Sequence, residues 1–354
     1  MRHLPTLALL ALPACLASCR SAAETLDVAA PEEPAESRFR FEYTASLHGV
    51  EAAADTARLW IPVPVDNDAQ DVSQAEVLLR AEGPGGTRDA RLPLNEPFEL
   101  TVGEGERALH VTHADLGGGA GRSVCVEAPG GEALTLVLSF EVLRRATGGG
   151  GAATEDELRA ALEPDTYVPL DGKVAAVAGS LATADDPAAT ARALYDHTLE
   201  RMRYEKPVGG SWGRGDAEWA CDSRHGNCTD FHSYFLGLAR VKGIPARFEM
   251  GFSVPARGDE ASVGGYHCWA FFWDGERWVP VDISEADKHP ERAEFYFGAL
   301  DPDRVTMTGG RDLVLDPPAA QGPLNFFVYP YAEVDGKIRT QGLARSFRRF
   351  ALER

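Results

Sequence analysis

The chain has 354 residues, with 35 Lys and Arg against 54 Asp and Glu, for a formal net charge of −19. At 44% hydrophobic and 25% charged it has a globular composition, which excludes a fibrous repeat and wholesale disorder, and its length suits two domains. Nucleic-acid proteins draw affinity from clustered Lys and Arg, so the acidic balance excludes nucleic acid as an expected partner.

Residues Met1 to Cys19 run from a basic residue at Arg2 through a short apolar stretch to small residues before a cysteine. That order is an export signal, too short to span a bilayer. Leu16-Ala17-Ser18-Cys19 resembles the lipobox of bacterial lipoproteins. The resemblance implies a signal peptide over 1–18, lipidation at Cys19 and anchoring to a membrane of the bacterial cell envelope; an ordinary secretory signal with an incidental Cys19 is the alternative. Residues 19–37, rich in Ala, Glu and Pro without periodicity, read as a solvated tether. Cys125, Cys221, Cys228 and Cys268 then remain, and in an oxidising compartment each has a disulfide reading.

Residues 38–147 read as an all-β, sandwich-like domain. Phe39, Phe41, Tyr43, Ala45 and Leu47 alternate with polar residues, as do Leu134, Leu136, Leu138, Phe140 and Val142. This is the two-residue period of strands with one buried face. Pro62 and Pro64 place their strand at an edge or on a bulge. A glycine run at 148–151 marks the boundary, and residues 152–354 read as a second unit with a C-terminal strand extension completing the core or a cleft wall. Asp186-Pro187 opens a helix that ends near Tyr204, and a glycine-rich segment with Trp212 and Trp219 follows as a long loop.

In GNCTDFHSYFLGLARVKGIPAR, residues 226–247, Phe231, Tyr234, Phe235, Leu238 and Ala239 share one helical face, and Gly243 with Pro245 ends the helix. Cys228 stands at its start, where unpaired N–H groups and the helix dipole favour a thiolate and an oxyanion. The segment GGYHCWAFFWDGERWVPVDIS reads as two strands turning at Asp274-Gly275. A turn that leaves Trp273 across from Glu276 sets His267 opposite Asp282, and a three-residue turn would break that alignment. Cys228, His267 and Asp282 thereby form a candidate nucleophile, base and orienting acid.

These segments, GNCTDF, then YHCWAFFW about forty residues on, then RWVPVDIS, resemble the transglutaminase-like superfamily over roughly residues 190–285. The resemblance implies an α+β chain with a papain-like core behind the sandwich, Cys228 as nucleophile, His267 as base and Asp282 as orienting acid. It implies thiol-dependent acyl transfer on a protein or peptide, by hydrolysis or transamidation, with no cofactor. Cys268 replaces the family's small residue after the histidine and, by strand alternation, points away from it. Trp219 and Trp269 are candidates for the cleft wall or for an oxyanion N–H donor, with packing the simpler role. His225 and His232 read as loop and surface residues. Two other readings compete: zinc held by Cys221, His225, Cys228 and His232, whose spacing fits no common zinc pattern, and a catalytically silent scaffold that binds envelope proteins.

Overall fold

The alternation in residues 38–47 and 134–142 builds the centre of one sheet. β1 (Glu36–Leu47) buries Phe39, Phe41, Tyr43, Ala45 and Leu47 and pairs antiparallel with β8 (Ala133–Arg145), which buries Leu134, Leu136, Leu138, Phe140 and Val142. The structure, a computed structural model, describes residues 35–352; the export signal, Cys19 and the tether up to residue 34 lie outside the described residues.

Between these strands run β2 (Ala57–Val63), β3 (Gln70–Gly83), β4 (Gly86–Pro93), β5 (Phe98–Val102), β6 (Leu109–Asp115) and β7 (Arg122–Ala128). The chain continues through α1 (Glu155–Ala160), α2 (Gly172–Ser180), α3 (Pro187–Arg201), β9 (Arg203–Tyr204), α4 (Ala217–Ser223), β10 (His225–Gly226) and α5 (Cys228–Val241). It closes with β11 (Ala246–Ser253), β12 (Glu260–Ser262), β13 (His267–Trp273), β14 (Trp278–Val281), α6 (Ile283–Lys288), β15 (Arg304–Gly309), β16 (Tyr331–Val334), β17 (Lys337–Ile338) and β18 (Leu343–Ala351).

Two six-stranded sheets, in the orders β12-β18-β1-β8-β3-β4 and β17-β16-β2-β7-β6-β5, share one apolar core. Of the C-terminal strands, β15 completes the sheet of the second region, as the sequence suggested, whereas β16, β17 and β18 return to the sandwich. β18 pairs with β1 so that Phe347 packs on Tyr43, with ring centroids 4.8 Å apart, and β16 pairs with β2. The basic segment near the C-terminus is thus a strand, its Arg348 ion-paired with Glu42 and Glu260. β2 is not an edge strand either. Pro62 is accommodated because β16 reaches only to Trp60, leaving the missing N–H without a strand to serve on that side.

The second region places α5 against a four-stranded antiparallel sheet, β14-β13-β11-β15, with α2, α3, α4 and α6 around it. Every α5 residue from Cys228 to Arg240 is buried, so the apolar face expected from the spacing extends round a helix that forms the axis of the core. Asp186 caps α3, accepting from the N–H of Ala188 and Ala189, with Pro187 in the first position. The two regions meet at β15, where Gln70 and Thr306 exchange two hydrogen bonds of 2.8 and 3.0 Å.

Candidate active site

Local chemistry fixes where α5 begins. Asn227 is its N-cap and accepts from the N–H of Thr229, while Asp230 reaches back to the N–H of Asn227, a capping box. The Asp230 carboxylate also accepts from Gly213 and Gly215 at 2.7 and 3.0 Å, which ties the preceding loop onto the helix start. Gly226 is required there: a Cβ would stand 2.4 Å from an Asp230 oxygen. Cys228 is the first helical residue, 1% exposed.

His267 opens β13, and its Nε2 lies 2.7 Å from Oδ2 of Asp282. The expected strand register does not produce this contact. β13 and β14 pair as Trp273 with Trp278 and Phe271 with Pro280, two residues beyond the expected alignment, so His267 is not directly across from Asp282. The cause is a four-residue loop, Asp274 to Arg277. The Asp274 carboxylate accepts from the N–H of Glu276 and Arg277, and the indoles of Trp273 and Trp278 meet edge-on at 5.5 Å. A shift of two residues keeps each side chain on its face. Asp282 falls just past β14 as the N-cap of α6 and reaches His267 diagonally.

Asp282 is wholly buried and saturated with donors. Oδ2 accepts from His267 and, at 2.9 Å, from Arg304 Nη1; Oδ1 accepts from the Ser284 hydroxyl and the Glu285 N–H, both at 3.1 Å. Arg304 is itself buried, with its other arm on Asp301 at 2.7 Å. Burial alone would raise the Asp282 pKa, but the charge and hydrogen bond of His267, with Arg304 behind, hold it well below the usual carboxylate range.

With Nε2 committed to Asp282, the other ring nitrogen of His267 is left for the hydrogen bond to Cys228. Burial opposes charge on both partners, yet Asp282 and Cys228 lift the imidazole to about 10. Against its own burial, Cys228 is lowered to about 5 by hydrogen bonds from Cys268 and His267 and by the imidazolium charge. Both shifts run toward a thiolate paired with an imidazolium. Tyr204 and Tyr266 flank the sulfur: burial, then the thiolate charge, raises both phenols, and the Tyr266 hydroxyl accepts from Asn227 Nδ2 at 2.8 Å.

Other expected residues are placed differently. Trp269 is fully buried, and its indole N–H is committed to Glu249 at 3.0 Å, so it has no donor for an oxyanion. The Trp269 ring instead lies under Arg304, 5.0 Å from the guanidinium carbon, and 6.0 Å from the His267 ring. Trp219, on α4, packs edge-on against His225 at 5.4 Å, and Trp212 donates to the Pro207 carbonyl. His232 is not a surface residue but is completely buried beneath the site. Cys268 faces away from His267 along the strand yet meets the Cys228 sulfur, because α5 covers that face of β13. The four cysteines 125, 221, 228 and 268 are free thiols. Cys221, His225, Cys228 and His232 do not converge, and among the described residues no group of three or more His, Cys, Asp or Glu is arranged to hold a metal ion.

Sequence reasoning gave no role at this site to Tyr204, Tyr266 or Arg304, and read His232 as a surface residue or zinc ligand. Position alone hinted at three of them: Tyr266 adjoins His267, Tyr204 ends the α3 segment, and His232 stands one helical turn after Cys228. Nothing in the sequence singles out Arg304, which is brought in by β15.

Comparison with known proteins agrees with this architecture. The family profile described as transglutaminase-like superfamily matches residues 175–283. An uncharacterized protein of Haemophilus influenzae is 32% identical over 184 residues, covering 43% of this chain and 50% of its own length. Another, from Mycobacterium leprae, is 29% identical over 130 residues, 36% of this chain and 46% of its own. The chain thus spans about half the length of these relatives. A solved structure of a candidate cysteine protease from Cytophaga hutchinsonii shares the fold, with a TM-score of 0.53 at 12% identity, over 90% of this chain and 93% of that one. Residues 175–283 of this α+β chain thus carry a core similar to that of the transglutaminase-like superfamily.

Proposed function

We propose that the protein is a thiol-dependent acyl-transfer enzyme acting on amide bonds, with Cys228 as nucleophile, His267 as acid and base, and Asp282 as the group that orients the imidazolium. The observation that carries this reading is the buried line of a sulfur at a helix start, an imidazole and a carboxylate, charged so that the sulfur is a thiolate at neutral pH. The thiolate adds to an amide carbonyl, and the backbone N–H of Cys228, in the first turn of α5, receives the oxyanion. His267 then gives its proton to the leaving amine as the thioester forms, and takes one from the water that resolves it. An amine in place of water would make the same site a transamidase; water is the abundant acceptor, so hydrolysis is the favoured outcome. The substrate is a protein or peptide, met in the cell envelope if Cys19 carries a lipid. Among the described residues no helix is long and apolar enough to cross a membrane.

The exposure of Cys228, only 1%, supports one rival reading, a scaffold that binds peptides without cleaving them. Turnover of a peptide library by wild-type protein and by Cys228→Ala separates the two. The enzyme reading expects product from the wild type and a loss of about a thousandfold or more in the variant; equal turnover by both, or binding without product, removes it.

A further inference from the structure

Beneath the three proposed catalytic groups lies a second set of buried side chains, Cys268 and His232, that the proposed chemistry does not use. Both are wholly inaccessible. His232, on α5, accepts the N–H of Ile283 at its Nε2, 3.1 Å away. A backbone N–H can only donate, so Nε2 carries no proton and the neutral ring bears its hydrogen on Nδ1. Nδ1 stands 3.5 Å from the Cys268 sulfur. Burial lowers the His232 pKa to about 4, and the His267 and Arg304 charges act in the same direction, so the ring stays neutral at neutral pH despite Asp282 at 3.7 Å. The Cys268 sulfur thus receives a hydrogen bond from His232, which leaves its own S–H to be given to its other side-chain partner, Cys228. Burial, then the Cys228 charge, keeps Cys268 protonated.

We infer that Cys268 is a positioning residue for the nucleophile: the chain Ile283 N–H, His232, Cys268 ends in an S–H donor that helps His267 hold the Cys228 sulfur as a thiolate. Two donors of different kind then serve one sulfur. The imidazolium supplies charge and later a proton, while the thiol supplies a hydrogen bond and stays in place. This deepens the proposed acyl-transfer reading but is read out on the resting thiolate, without turnover.

The test is the thiolate ultraviolet absorbance of the full chain against pH, taking the part that vanishes when Cys228→Ala is added. Removing a donor to a charged group is expected to move the Cys228 midpoint up by about one pH unit in Cys268→Ala. Cys268→Val, which fills the space without a donor, must move it the same way. Cys268→Ser keeps a donor and should stay near the wild type. A midpoint unchanged in both Ala and Val variants, or a Ser variant displaced as far as Ala, overturns the inference, since a packing role would not separate Ser from Val. Should Cys228→Ala leave amide turnover untouched, the acyl-transfer reading fails while this shift is unaffected.

Discussion

The sandwich and the core each bury a free cysteine, and the two thiols end up in opposite states. Cys125 lies within β7 across from Trp60, in an apolar cluster with Leu116, Leu313, Leu324 and Phe327, and burial pushes its thiol well above the ordinary value. Cys228 is no less hidden, but it starts a helix, faces an imidazolium and accepts from a second thiol, and its pKa falls to about 5. Burial by itself makes a sulfur inert. Burial with a cation and donors aimed at it makes a nucleophile, because the low dielectric strengthens those interactions as well as the desolvation penalty.

The sharpest way to break this contrast is to remove the carboxylate behind the cation. Asp282→Asn keeps the shape but not the charge that sustains the His267 imidazolium. Turnover on any substrate found should fall on the order of a thousandfold. Chemical denaturation should show a loss of about 3 kcal/mol, because buried Arg304 loses one of its two carboxylate partners, the wholly buried one. Retained turnover would show that the imidazole needs no such partner.

A subtler test uses the pH dependence of stability. His267 is raised from 6.5 to about 10, so its contribution is complete below pH 6.5 and lost as pH rises through about 10. Cys228 is lowered from 9.0 to about 5, so its contribution is complete above pH 9.0 and lost as pH falls through about 5. Between 6.5 and 9.0 folding merely moves a proton from sulfur to imidazole, the folded and unfolded chains bind equal numbers, and the pair contributes a plateau. In Cys228→Ala only the histidine remains, and stability should decline with rising pH by up to about 1.4 kcal/mol per unit. Denaturant titrations at several pH values check this; parallel wild-type and variant profiles would mean that no ion pair exists.

How far these features can be read in advance depends on the range of the interaction behind them. The alternation of β1 and β8 and the helix begun by Asn227 and Cys228 are local patterns, and they are legible as such. The hairpin register is set by the Asp274 side chain capping its own loop and by the Trp273–Trp278 pair, which turn statistics do not rank. The site survives the two-residue shift because an even shift preserves faces and because Asp282 acts from a helix cap rather than from a strand. The return of β16 and β18 to the sandwich joins residues about 300 positions apart, as in Tyr43 and Phe347, and no local period encodes it. His232 has a surface reading only while α5 is taken to have one buried face, and Cys268 an idle one only while β13 is considered without the helix that covers it.

The central claim is that one buried sulfur in this chain is charged at rest. Thiolate absorbance followed from acid to alkaline pH, as the difference between wild type and Cys228→Ala, tests it without any substrate. The account predicts a signal that rises with a midpoint near pH 5; a rise only at or above pH 9.0, as for an ordinary or merely buried thiol, would contradict it.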